Sequence, residues 1–253
     1  MTTTTNRFGQ PIGHPVPAWQ PPAMPGETLL PGRYCRLEPL SAERHGNTLW
    51  EAWRQPDPAI PGDTHGEARW TYLGGRPFAD AAGCHTWLRQ CSAEHDPRFM
   101  AVIEAASGSA LGVAAWLNIQ PAHGSVELGH LNFSPRLART PAATEALVLM
   151  MRHAFDLGFR RLEWKCDALN APSRRAAQRL GLSFEGIFHQ HRVVNGHNRD
   201  TAWYSLLDHE WRLLAPLFEC WLSPANFDAH GRQRQALSAL TAAADLPPRP
   251  EPA

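Results

Sequence analysis

The chain predicts an α/β (α+β) protein with a mixed, mostly antiparallel central sheet flanked by helices. Three observations point there. Between Phe99 and Phe133, three apolar runs are separated by the short turns Ser107-Gly108-Ser109 and Pro121-Ala122-His123-Gly124, the pattern of an antiparallel meander. From Val126 to Gly181 the chain reads strand, turn, helix, strand, turn, helix, and a helical crossover lets the next strand run parallel. Alternating runs at 182–194 and 200–207 then flank Asn195-Gly196, a strong hairpin signal.

The unit from Val126 to Gly181 organises the rest. Its first strand ends at Ser134-Pro135, because a ladder needs the N–H that Pro lacks. Arg136 and Arg139 place two cations in the loop that follows. Thr140 can cap a helix there, and Pro141 suits its first position. Leu147, Met150, Met151, Ala154 and Phe155 form one apolar stripe, and Gly158 stops the helix. Residues 161–167 read as a strand, and Asn170-Ala171-Pro172-Ser173 as a turn into a short helix. Free N–H groups at a helix start beside two guanidiniums favour an anion such as a pyrophosphate. The turn at Asn170 follows the next strand, so connectivity places it near the same sheet edge.

Composition narrows the classes. Lys and Arg number 24, as do Asp and Glu, so the chain carries no net charge to draw it to nucleic acid or anionic membranes. No apolar run approaches ~18 residues, so no membrane span is expected. The first residues lack the apolar core of a signal peptide. The five cysteines are scattered, odd in number and without a C-x-x-C pair, which suits a reduced, cytoplasmic setting.

Residues 1–32 are rich in Pro and Gly, and read either as a flexible leader or as an arm pinned by Phe8, Ile12, Val16 and Trp19. A main domain follows at 33–211, opening with a strand at 34–40 and a Ser41-capped helix bearing Leu49, Trp50 and Trp53. Trp70 to Phe78 is aromatic, suited equally to packing or to lining a cleft. Residues 79–92 read as a weak helix. Residues 212–253 read as a helical extension, kinked at Pro216, with a disordered tail from Leu246.

The ordered series Glu127-Leu128-Gly129-His130, Thr144-Glu145-Ala146, Asn170-x-x-Ser173, Arg179-Leu180-Gly181-Leu182, Glu185-Gly186, Arg199-Asp200-Thr201 and Glu210-Trp211 resembles the GNAT acetyltransferases. The nearest likeness is to the branch related to ribosomal-protein N-terminal acetyltransferases. The resemblance implies a GNAT-like fold, acetyl-CoA as donor and an amine as acceptor, on a small molecule or a protein N-terminus. The family's pyrophosphate loop is usually Gln/Arg-x-x-Gly-x-Gly/Ala. Arg136 fits its first position, whereas Arg139 and Pro141 stand where small residues are usual. The Cβ of Arg139 hinders close backbone approach and Pro141 removes a donor. The second guanidinium offers a charge-assisted contact, and the N–H groups of Ala142 and Ala143 stand at the helix start beside Thr140.

The resemblance also implies site roles. Glu127 stands as a general base for the amine. A backbone N–H near Leu131 to Phe133 would polarise the thioester carbonyl. Asn170 would bond the pantetheine amides. Many members protonate the leaving thiolate with a tyrosine where this chain has Ala177, and in the resembling branch that role falls on the position of Ser173. His189 and His191 lack a third ligand, so no metal is expected. A homodimer through the arm and tail is compatible with the sequence. The alternative function is a non-catalytic CoA-binding or regulatory module on the same scaffold.

Overall fold

A computed structural model describes residues 4–73, 75–247 and 249 of the chain. The arm opens with a hairpin of β1 (Thr4–Thr5) and β2 (Pro11–Ile12). The main sheet then forms from β3 (Leu30–Pro31), β4 (Cys35–Pro39), β5 (Arg98–Glu104), β6 (Ala110–Gln120), β7 (Ser125–Phe133), β8 (Arg161–Asp167), β9 (Ser183–Val194) and β10 (His197–Leu207). The spatial order is β3-β4-β5-β6-β7-β8-β10-β9. All neighbours are antiparallel except β7 and β8. This is the expected mixed sheet, with the parallel pair where the helical crossover predicts it.

Helices cover both faces, and residue alternation decides which side chains they meet. α1 (Ala42–Trp53) and α2 (Ala81–Ala93) pack Leu49, Trp53, Cys84 and Leu88 onto Phe99, Ala101, Val113 and Ala115. α3 (Pro141–Asp156), α4 (Ala171–Arg179), α5 (Asp208–Leu222) and α6 (Leu237–Ala242) cover the opposite face. Their core holds Val126, Leu128, Leu162, Trp164, Met150 and Phe218. The buried Trp116 indole donates to the Met150 carbonyl at 3.2 Å and ties β6 to α3. Ser41 and Thr140 cap α1 and α3 as the sequence predicts, and Asp80 caps α2. Pro216 sits inside α5, which runs on past it.

Two terminal expectations need correction. Of the four residues named for pinning the arm, Trp19 does so, its indole donating to the Ala122 carbonyl at 3.3 Å and its ring filling the place a Cβ at Gly124 would take; Glu27, paired with Arg98, and Leu30, in β3, hold it further along. Phe8, Ile12 and Val16 are exposed. The tail, read as disordered from its prolines, is held at two described points. Leu246 packs against the core. The Arg249 guanidinium donates to Glu185, Glu210 and Ser205, because β9, β10 and α5 bring a carboxylate pair together there. Residues 248 and 250–253 of that expectation lie outside the described residues. No helix among the described residues is long and apolar enough to cross a membrane.

Candidate active site

Strands β7 and β8 part company early. Their rungs are Ser125–Arg161, Val126–Leu162 and Glu127–Glu163, with no pairing beyond. The rest of β7 therefore faces a gap with its inner edge unpaired, bordered by the turns that open α3 and α4. Two irregularities shape this region. An extra residue in β6 falls at Asn118, with φ 47°, and one in β7 at His130, with φ 49°. Such bulges bend a strand and re-aim its side chains.

Glu127 lies at the base of the gap, nearly buried. Its Oε2 accepts from Asn118 Nδ2 at 2.6 Å and from Lys165 Nζ at 2.9 Å. Lys165 also reaches Glu163 at 2.8 Å and lies 4.2 Å from the centre of the Trp203 ring. One cation thus separates two carboxylates that stand directly opposite each other across the strands. Burial pushes the Glu163 carboxyl up, but hydrogen bonds from Lys165 and Arg161 outweigh it and hold it below the usual range. The expected base is on the expected strand, yet one of its oxygens is already held by a resident ammonium.

The loop after β7 carries the two expected cations, and both have carboxylate partners. Arg136 pairs with Glu104 of β5. Arg139 adopts φ 65° and its guanidinium meets Asp57 Oδ1 at 3.2 Å. Thr140 Oγ1 accepts the Ala143 N–H at 3.2 Å, so that expected free donor is taken by the cap itself. The Ala142 N–H, one residue earlier, has no intrahelical acceptor because helix starts leave such groups over. An anion arriving at this helix tip must compete with Asp57 for Arg139. If that loop binds a diphosphate, Asp57→Asn should tighten CoA several-fold at low salt in a calorimetric titration, since exposed pairs are weak and screened. An unchanged affinity would remove Arg139 from the binding site.

Across the gap, Asn170 caps α4, its Oδ1 accepting the Ser173 N–H at 3.1 Å. The Ser173 hydroxyl accepts from the Trp164 indole at 3.0 Å, which fixes it over β8. Burial pushes the Cys166 thiol up, with Ser173 a smaller opposing influence, so this cysteine stays an inert thiol. Tyr204 is fully buried and accepts from Arg174 at 3.1 Å. Arg179 donates to Thr144 Oγ1 at 2.6 Å.

The segment between α1 and α2 touches both turns. Asp57 holds Arg139 at one end, and the Tyr72 hydroxyl donates to the Leu169 carbonyl at 3.4 Å at the other. Glu67–Tyr72 forms a 3-10 helix rather than an open loop. Trp70 is buried against Trp53 and Phe78, at centroid distances of 6.5 and 4.9 Å, so packing claims it. His189 and His191 point to Asp200 and Thr201. Among the described residues no three His, Cys, Asp or Glu side chains cluster as metal ligands.

The structure thus puts Glu127, Leu131 and Phe133 on β7, the strand beside the gap, Asn170 and Ser173 at the start of α4 after β8, and Arg136, Arg139, Thr140 and Ala142 in the loop and first turn that lead into α3. Sequence reasoning missed Lys165, Asp57 and Asn132. Lys165 had one signal, its place two residues after Glu163 on an alternating strand. Asp57 and Asn132 had none that a single sequence reveals.

A family profile described as an acetyltransferase (GNAT) domain matches residues 36–183. No curated protein matches the chain. Among solved structures, a GCN5-related N-acetyltransferase from Brucella melitensis is 45% identical, with a TM-score of 0.84 over 90% of this chain and 100% of that one. A probable acetyltransferase (GNAT family) from Chromobacterium violaceum is 39% identical, with a TM-score of 0.72 over 80% of this chain and 98% of that one. An acetyl transferase from Salmonella typhimurium that modifies an N-terminal serine of a ribosomal subunit protein is 16% identical, with a TM-score of 0.59 over 71% of this chain and 99% of that one. At that identity the likeness is one of fold alone. The parted parallel strands, the helix tips beside them, the family profile and the two nearer structures lead to one conclusion: the chain belongs to the GNAT acetyltransferase superfamily.

Proposed function

We propose that the protein transfers an acetyl group from acetyl-CoA to a primary amine by direct attack on the thioester. The observation that carries this reading is the gap beyond the Glu127–Glu163 rung, which offers a row of unpaired backbone groups between two helix tips. The residues present suit such a donor. Ala142 N–H, Arg136 and Arg139 would hold the diphosphate, and Asn170 the amide arm. The donor supplies an activated acyl carbon and a thiolate leaving group. The chain must then position the amine, keep it neutral and protonate sulfur.

Neutrality is the demanding part. A lysine-type amine with pKa ~10.4 is free base in about one molecule in a thousand at neutral pH, and an α-amine with pKa ~8 in about one in ten. Glu127 lies on the last rung before the gap with Oε1 uncommitted and can take the proton, directly or through water. The amine nitrogen bonds to the acyl carbon, the C–S bond breaks, and its electron pair leaves with sulfur. Ser173 Oγ–H can bond that sulfur while Trp164 steadies its oxygen. A backbone N–H between Leu131 and Phe133 stabilises the oxyanion.

Steady-state thiol release from acetyl-CoA across an amine panel tests the reading. Amine-dependent release, with acetyl-amine in equal amount, supports it. Bound CoA with no turnover of any amine would favour the non-catalytic module, a reading prompted by Arg139, Pro141 and Ala177 standing where small residues and a tyrosine are usual, and one that the Glu104 and Asp57 carboxylates on the two loop arginines suit.

A further inference from the structure

Asn132 poses a problem that the fold alone does not solve. It is 3% exposed, and neither its Nδ2 nor its Oδ1 has a hydrogen-bond partner. A buried amide with both ends unused destabilises the protein that carries it, and each such group calls for a reason. Its backbone is well held: the Trp53 indole donates to the Asn132 carbonyl at 3.1 Å, and Val113 stands opposite on β6. A leucine or valine would suit these neighbours better. Asn132 lies on the part of β7 beyond the last rung with β8, between Leu131 and Phe133. The bulge at His130 restores it to the sheet face that carries Glu127 and Gly129, since Leu117, Ala115 and Val113 oppose these three in turn.

We propose that the Asn132 amide is a catalytic group for the acyl transfer argued above, on which this assignment rests. Nδ2–H donates to the thioester oxygen as that oxygen gains charge, and Oδ1 accepts an N–H of the attacking amine. The nitrogen lone pair forms the N–C bond while the carbonyl π pair moves to oxygen. When that pair returns, the C–S pair departs with sulfur, and the proton nitrogen sheds balances the one the thiolate gains. Both idle ends of the amide thus find their partners only when the reacting groups meet. Asparagine is an established oxyanion donor, and a dry site strengthens the contact.

The test compares the parent with Asn132→Leu and Asn132→Asp, reading kcat, KM for acetyl-CoA and Tm. For the leucine variant kcat should fall about 100-fold with the donor KM within about twofold, while Tm rises by about 2–4 °C because the idle amide is gone. The aspartate, a charge facing the oxyanion, should be at least as slow. A leucine variant with parental kcat, or one less stable than the parent, overturns the assignment while leaving acyl transfer intact. A parent that binds acetyl-CoA yet acetylates no amine sinks the broader reading and this assignment with it.

Discussion

Glu145→Ala should lower stability by about 4 kcal/mol and Tm by about 10 °C. The Glu145 carboxylate is buried in α3 and accepts three successive backbone N–H groups, those of Arg33, Tyr34 and Cys35, at 2.8, 2.6 and 2.8 Å. These lead into β4, whose place next to β5 they fix from the far side of the sheet. The fit leaves no slack: a Cβ at Gly32 would lie 2.7 Å from the carboxylate. Truncation strands three donors at about 1–3 kcal/mol each, only part of which water entering the vacancy would recover. Urea unfolding checks the value. Glu145→Gln, which keeps one accepting oxygen but loses the charge, should fall between the parent and the alanine variant. A loss under 1 kcal/mol for alanine would show that the clamp contributes little.

Lys165→Met should cost about 3–5 kcal/mol at neutral pH, as expected when one member of a buried ionic group is removed and the others remain. Glu127 and Glu163 would then face each other across adjacent strands as like charges. Arg161 would still bond Glu163 at 2.8 Å, but Glu127 would keep only Asn118. The pH dependence identifies the cause. Lys165 supplies the first of the hydrogen bonds that hold the Glu163 carboxyl down, so without it burial moves that carboxyl's folded-state pKa upward. The penalty is then absent at low pH, where both states are protonated, and grows as pH rises through the folded pKa. The Tm gap between variant and parent should therefore narrow from pH 7.5 to pH 4.5. A constant gap would mean that lost packing on Trp203, rather than charge, sets the cost.

Much of the architecture was legible because short-range rules dominate it. Asn195-Gly196 joins β9 and β10 with φ values of 51° and 79°, the paired left-handed turn that the dipeptide favours. Thr140-Pro141 opens α3 where a cap and a first-turn proline should. The apolar alternation of β8 matched its buried face residue by residue. The site was legible by element and not by contact. Which side chain meets Glu127 depends on register, and register here turns on bulges at Asn118 and His130, each shifting the pairing by one residue. Lys165 meets Glu127 only through the parallel pairing of β7 with β8. Asp57 reaches Arg139 from a turn-rich segment 82 residues away, and no local pattern encodes that meeting. Arg249 was hidden by its setting: a proline-rich tail reads as disorder until the carboxylates of Glu185 and Glu210 are known to lie side by side.

The central claim is that the donor lies in the gap between β7 and β8, gripped at the start of α3 and beside the start of α4. Backbone hydrogen–deuterium exchange with and without acetyl-CoA tests it without requiring the acceptor. Slowed exchange concentrated at residues 131–143 and 168–174, with little change at the distant β3–β4 edge, is the predicted outcome. Saturating acetyl-CoA that leaves both segments exchanging as in the free protein would contradict the account.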